Sequence, residues 1–179
     1  MTLIQVINPN TSRAMTAAIG RAAREAAGSG VSVYMVQPDA GPEAIESHYE
    51  AALAVPGLLA LVSAGAADGR VIACFGACRG AHASGLPVLG LESPGALEVV
   101  ARECARVCAR VCDADGCDVI VLGCAGMSPM AGPLSEALGI PVVDGVTAAV
   151  RIVGSLVALG LRTSARGEYA MLPSRHVVG

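Results

Sequence analysis

The ten residues Asp118–Met127, DVIVLGCAGM, limit what this chain can fold into more than any other stretch. A short apolar run, Val119 to Leu122, leads straight into Gly-Cys-Ala-Gly. An apolar run this short, bounded by turn residues, fits a strand buried in a parallel sheet. Glycine on both sides of the turn lets the backbone bend sharply and lets a ligand come close. Cys124 then falls at the carboxyl end of the strand, the edge at which open α/β sheets bind their ligands. Arg70–Gly76, RVIACFG, has the same form and places Cys74 at the end of a second apolar run. Such cysteines are either buried core thiols, common for this residue type, or a pair of reactive groups at one site.

The order of elements around these two stretches sets the fold class. Leu3–Ile7 reads as a strand that stops at Pro9, which has no N–H to give a ladder. Asn10, Thr11 and Ser12 are all good caps for a helix over 13–27, and Gly28-Ser29-Gly30 ends it. Val31–Val36 is a second strand. Ser47 caps the next helical stretch, which Pro56 divides into two short helices, 48–55 and 56–64. Val71–Phe75 is the third strand. This β-α-β-α-β order implies a parallel sheet with crossover helices. Gly76–Gly85 reads as a loop and Leu86–Leu91 as a fourth strand. Ser93-Pro94 opens a helix to about Cys112, and Asp113–Cys117 is a turn. After the strand at Val119–Leu122, Ser128-Pro129 opens a helix to Leu138 that ends at Gly139. Pro141–Val143 is a short strand, and Asp144 caps a last helix, 145–159. The tail from Gly160 shows no clear pattern.

Composition narrows the partners. The 179 residues suit one domain or two small lobes. Net charge is −3, aromatic residues make up 2%, and no basic patch is present, which argues against a nucleic-acid partner. No apolar run is long enough to suggest a membrane span, and the chain opens on LIQVI without a basic leader. A cytoplasmic location is expected. Seven cysteines, an odd number, favour a reducing compartment and thiols rather than disulfides. Cys104, Cys108 and Cys112 recur every four residues, along one face of a helix. A zinc site would need a fourth ligand from Cys78, Cys117 or a distant histidine, at spacings wider than zinc sites usually use. Small apolar residues on a packed face account for them more simply, and no metal is expected.

Two cysteines at neighbouring strand ends suit proton transfer at a carbon. Helix N-termini close by favour the thiolate form. One thiolate can take a proton from one side of a carbon while a thiol returns one to the other side, inverting the centre with no cofactor. A single cysteine would instead suggest covalent catalysis with a histidine base. None of His48, His82 and His176 lies at a glycine-flanked strand end. Asn8 and Asn10 fall at the same sheet edge, where an amide can bind a carbonyl and an N–H together. Plain helix capping also explains them. Backbone N–H groups at Gly76, Ala125 and Gly126 could stabilise an enolate oxygen.

INPNTS at 7–12, GPEAIESHYE at 41–50, VIACFG at 71–76, DVIVLGCAGM at 118–127 and PVVDGV at 141–146 together resemble the hydantoin racemase branch of the aspartate/glutamate racemase superfamily. LRTSARGEYA at 161–170 resembles it too. The resemblance covers nearly the whole chain. It implies an α/β fold of two lobes with parallel sheets and flanking helices, and one catalytic cysteine from each lobe, Cys74 and Cys124. Asn8, Phe75, Gly76, Ala125 and Gly126 would line the site. Allantoin or 5-substituted hydantoins would be the small-molecule substrates, with no metal or cofactor. Related members that decarboxylate or isomerise a small diacid, and a non-catalytic remnant, are the competing readings.

One departure from the family pattern stands out. Ala77 follows Gly76 where members continue with an aspartate and further elements, so about two βα units of roughly 30 residues each are missing near Gly76/Ala77. The expected division is 1–76 as the first lobe, 77–144 as a reduced second lobe, and 145–179 as a C-terminal helix and tail packed back on the first. A short, apolar chain with a mean hydropathy of +0.61 and uncovered sheet edges is expected to form a homo-oligomer of even order.

Overall fold

The structure is a computed structural model, and it describes residues 1–74, 94–164 and 166. The expected fourth strand, the loop before it, Phe75, Gly76, Cys78, His82, His176 and most of the tail lie outside the described residues. Five strands and five α-helices alternate along the rest. They are β1 (Thr2–Ile7), α1 (Arg13–Ala26), β2 (Val31–Val36), α2 (His48–Ala64), β3 (Gly69–Ile72), α3 (Pro94–Asp115), β4 (Ile120–Leu122), α4 (Ala131–Leu138), β5 (Val142–Asp144) and α5 (Gly145–Ala158). A 3-10 helix, Ala125–Met130, joins β4 to α4.

The strands form two parallel sheets. The first has the order β2-β1-β3, with Ile4 opposite Val33 on one side and Gly69 on the other. The second pairs β4 with β5, Ile120 opposite Val142. The alternation of β1 decides what each face of the first sheet carries. Ile4 and Val6 point to one face and pack with Met15, Ile19 and Ala23 of α1 and with Val146 and Val150 of α5. Gln5 points to the other face, where it is buried. Its Nε2 donates to the carbonyl of Leu61 near the end of α2, and its Oε1 accepts from Arg70 Nε. A second core, Cys104, Leu122, Met130 and Leu134, holds α3 and α4 on the smaller sheet.

Four local expectations are corrected. α2 runs unbroken through Pro56 instead of dividing there. Proline removes one N–H, so the carbonyl of Ala52 loses its helical partner. Ala52 and Pro56 are both exposed, so water can serve that carbonyl. A capping box at Ser47 and Glu50 secures the first turn. The third strand begins two residues earlier than expected, at Gly69, and ends at Ile72. The helix expected to open at Ser128-Pro129 instead begins as the 3-10 turn and becomes α-helical at Ala131: Ser128 lies inside the 3-10 turn, not ahead of it, and its hydroxyl donates to Asp144. Cys112 and Cys117, expected as thiols, form a disulfide. α3 extends to Asp115, and Gly116 at φ +64° folds the chain back so that the two Cα atoms come within 4.7 Å. Among the described residues, no helix is long and apolar enough to cross a membrane.

Candidate active site

Strand ends deliver the expected residues. Asn8 lies one residue beyond β1, Cys74 two beyond β3, and Cys124 two beyond β4. The ladder runs to the edge on both sides of β1: Asn8 N–H donates to Val36 O at 3.0 Å, and Ala73 N–H to Ile7 O at 2.8 Å. These bonds fix where Cys74 leaves the sheet. Both candidate cysteines are half-buried.

A cavity of about 220 Å³ lies where β3, β4 and α5 meet. Ala73 and Cys74 form one wall, Leu122 and Ala125 another, and Val146 and Ala149 of α5 the third. The structure therefore brings Cys74 and Ala125 to one space. Cys124, adjacent to Ala125, is not among the lining residues. It holds an extended conformation as the residue before the 3-10 helix, and its carbonyl accepts from Met127 N–H at 2.9 Å. Gly126 is buried within that turn.

Asn8 is buried and engaged in the β1–α1 turn. Its Nδ2 lies 2.7 Å from Asn10 Oδ1 and 2.9 Å from Thr16 Oγ1, and its Oδ1 accepts from Asn10 N–H at 3.4 Å. Asn10 Oδ1 also accepts from Ser12 N–H at 3.0 Å, and Ser12 caps α1 through Met15 N–H. Both asparagines thus shape this turn, and neither is among the residues lining the cavity.

Residue-by-residue reading missed the link that holds the cysteine-bearing turn. Ser128 Oγ lies 2.6 Å from Asp144 Oδ1, across 16 residues and between two elements. Asp144 also accepts from Val146 N–H, Thr147 N–H and the Thr147 hydroxyl, which caps α5. One buried carboxylate therefore ties the turn after β4 to the helix that forms the third wall. The cap was readable from sequence. The tie was not, since nothing local to Ser128 points to residue 144.

The cysteines on α3 stand apart from this site. Burial raises the pKa of Cys104, with Cys108 and Glu103 adding to the effect, and burial alone raises that of Cys108. Burial thus disfavours the thiolate form of both. Among the described residues, no three His, Cys, Asp or Glu side chains gather so as to hold a metal ion.

Comparison with known proteins decides the family. The Asp/Glu/Hydantoin racemase family model matches residues 4–96 and 76–153. The chain belongs to this family. A hydantoin racemase from Pseudomonas sp. (strain NS671) is 30% identical, with 98% of this chain and 94% of that one covered. An allantoin racemase from Klebsiella pneumoniae superposes with a TM-score of 0.86 at 35% identity, covering 100% of this chain and 97% of that one. An allantoin racemase from Pseudomonas fluorescens superposes at 0.89 and 26% identity, covering 99% and 100%. The α/β racemase fold read from the sequence is thus the fold of the family. The first alignment runs over 239 positions against 179 residues here, so about 60 positions face a gap, the size of two βα units. The two family matches overlap at the expected junction.

Proposed function

We propose that this racemase-family chain inverts the C5 centre of hydantoin-type substrates, 5-substituted hydantoins or allantoin, without a cofactor. The observation that carries the reading is the meeting of Cys74 and Ala125, the residue next to Cys124, at one cavity, in a chain whose relatives are hydantoin and allantoin racemases. The C5 proton of a hydantoin is acidified by the neighbouring ring carbonyl. In the proposed step, one cysteine thiolate takes that proton and the C–H electron pair passes into the carbonyl as an enolate. The thiol of the other cysteine then protonates C5 on the opposite face. Each turnover leaves the two sulfurs with their protonation exchanged, and the reverse direction restores them. Backbone N–H groups at Gly76, Ala125 and Gly126 are assigned to the enolate oxygen, where fixed donors act most strongly, and Phe75 to the lining of the site. Asn8 is assigned to the turn that borders the substrate.

The lobe division 1–76, 77–144 and 145–179 belongs to the same proposal, supported by Val146 and Val150 of α5 sharing a core with β1 and α1. So does a homo-oligomer of even order. α2 is apolar along most of its length, yet Ala54 is its one buried residue, and Tyr49 is 73% and Leu59 58% exposed. A helix this apolar is normally covered. A cytoplasmic setting belongs to the proposal too; it would keep Cys74 and Cys124 reduced and would expose the Cys112–Cys117 link to reduction. Polarimetry of the purified chain with single enantiomers of 5-substituted hydantoins and of allantoin tests the activity. Rotation decaying to zero supports it, and a constant rotation with every substrate refutes it.

A further inference from the structure

We infer that the cavity beside Cys74 selects hydantoins with a compact apolar 5-substituent and disfavours allantoin. The inference rests on the racemase reading and concerns what that site accepts. Apart from Cys74, every lining residue among those described is hydrocarbon or glycine. Ala73, Leu122, Ala125, Val146 and Ala149 present only carbon from their side chains. At about 220 Å³ the space exceeds the roughly 150 Å³ that holds benzene in an apolar cavity. A branched four-carbon chain or a phenyl ring fits. The ureido group of allantoin has a similar size but carries a carbonyl and three N–H bonds. Each would leave water for a wall whose described residues offer no side-chain partner besides the Cys74 thiol.

Two backbone donors at the head of α5 are already taken. The N–H groups of Val146 and Thr147, at the head of α5, are already bonded to the Asp144 carboxylate. Of these two residues only Val146 lines the cavity, so the first turn of α5 withholds one donor that a ureido carbonyl could have used. Ala149 stands one turn further along the wall, and its small side chain leaves part of the space open.

The test compares 5-isobutylhydantoin with allantoin, using the full chain. Racemisation kcat/KM is expected to favour 5-isobutylhydantoin by about 100-fold, the scale on which an apolar pocket rejects a polar isostere. Equal or better turnover of allantoin would overturn the inference. Ala149→Leu should lower kcat/KM at least ~10-fold more for 5-isobutylhydantoin than for 5-methylhydantoin, with Ala149→Val giving a smaller change of the same sign. An equal loss for both substrates would show that the substituent lies elsewhere. Calorimetric binding of the two ligands to the wild-type chain separates the two claims. Turnover of neither, with 5-isobutylhydantoin still bound at least ~10-fold more tightly, refutes the racemase reading and upholds the selectivity. Equal binding, or tighter binding of allantoin, refutes the selectivity.

Discussion

Replacing Ser128 with alanine tests how the cysteine-bearing turn is held. Ser128 Oγ is 2.6 Å from Asp144 Oδ1 and 2.8 Å from Ala125 O. A hydroxyl has one hydrogen, so only one of these bonds is donated at a time, and the carboxylate is the stronger acceptor. Ser128 and Asp144 are both buried, at 8% and 7% exposure, so water does not replace the lost partner freely. A hydrogen bond to a charged group contributes about 1.5–3 kcal/mol net. Asp144 keeps its bonds from Val146 N–H, Thr147 N–H and the Thr147 hydroxyl, so its charge is not stranded. The cost of Ser128→Ala is therefore about 2 kcal/mol. For a chain of this length it corresponds to a fall in Tm of about 4–8 °C. Urea titrations at several fixed protein concentrations measure the loss without confusing it with subunit dissociation. Racemisation should suffer in kcat more than in KM, because the change displaces a turn and removes no ligand contact. Ser128→Thr, which restores the hydroxyl, should recover much of both. A stability change below about 0.5 kcal/mol would refute the assignment of Ser128 as the tie. So would an unchanged kcat.

Two further outcomes follow from the packing and the charges. A Cβ at Gly69 would fall into the Val153 side chain on α5, so Gly69→Ala should destabilise by about 2 kcal/mol. Adding Val153→Ala should recover part of that loss, and additive losses in the urea titrations would argue against the contact. Glu50 is held below its usual pKa, first by the Glu46 N–H and then by the Ser47 hydroxyl. A carboxylate depressed in the folded state stabilises above its unfolded pKa, and that contribution disappears as pH falls through the folded value. Hydrogen exchange in the first turn of α2 should therefore accelerate as pH falls below the ordinary glutamate range, beyond the intrinsic trend. In Glu50→Gln that extra acceleration should be absent, and its persistence would contradict the capping box.

The sequence made the frame legible wherever a local signal matched a local cause. β1 and β2 stood out as apolar, β-branched runs, and Ser47, Asp144 and Gly139 marked helix ends through their own side chain or backbone freedom. Pro56 misled because its exposed setting makes a missing helical bond cheap, and exposure is not written into the local pattern. The Cys112–Cys117 link depends on how far α3 runs and on the left-handed turn at Gly116, both tertiary outcomes. At the site, spacing pointed to Cys74 and Cys124 as strand-end residues. The apolar wall of Val146 and Ala149 comes from a helix following the last strand, and only the packing of α5 against the first sheet puts it there. Asn8 was legible as a strand-end residue, while its engagement by Asn10 and Thr16 emerged only from the fold of the turn.

The central claim is that two cysteines act as opposed proton donor and acceptor. Its most direct measurement is racemisation alongside C5 proton exchange with D₂O, for Cys74→Ser and Cys124→Ser, starting from each pure enantiomer. Losing one group of an acid–base pair should lower racemisation by about 10²–10⁴-fold in both variants. Each variant should still exchange the C5 proton of one enantiomer, a different one in each, because the remaining thiolate reaches one face of the ring. Racemisation at the wild-type rate in either variant would contradict the account.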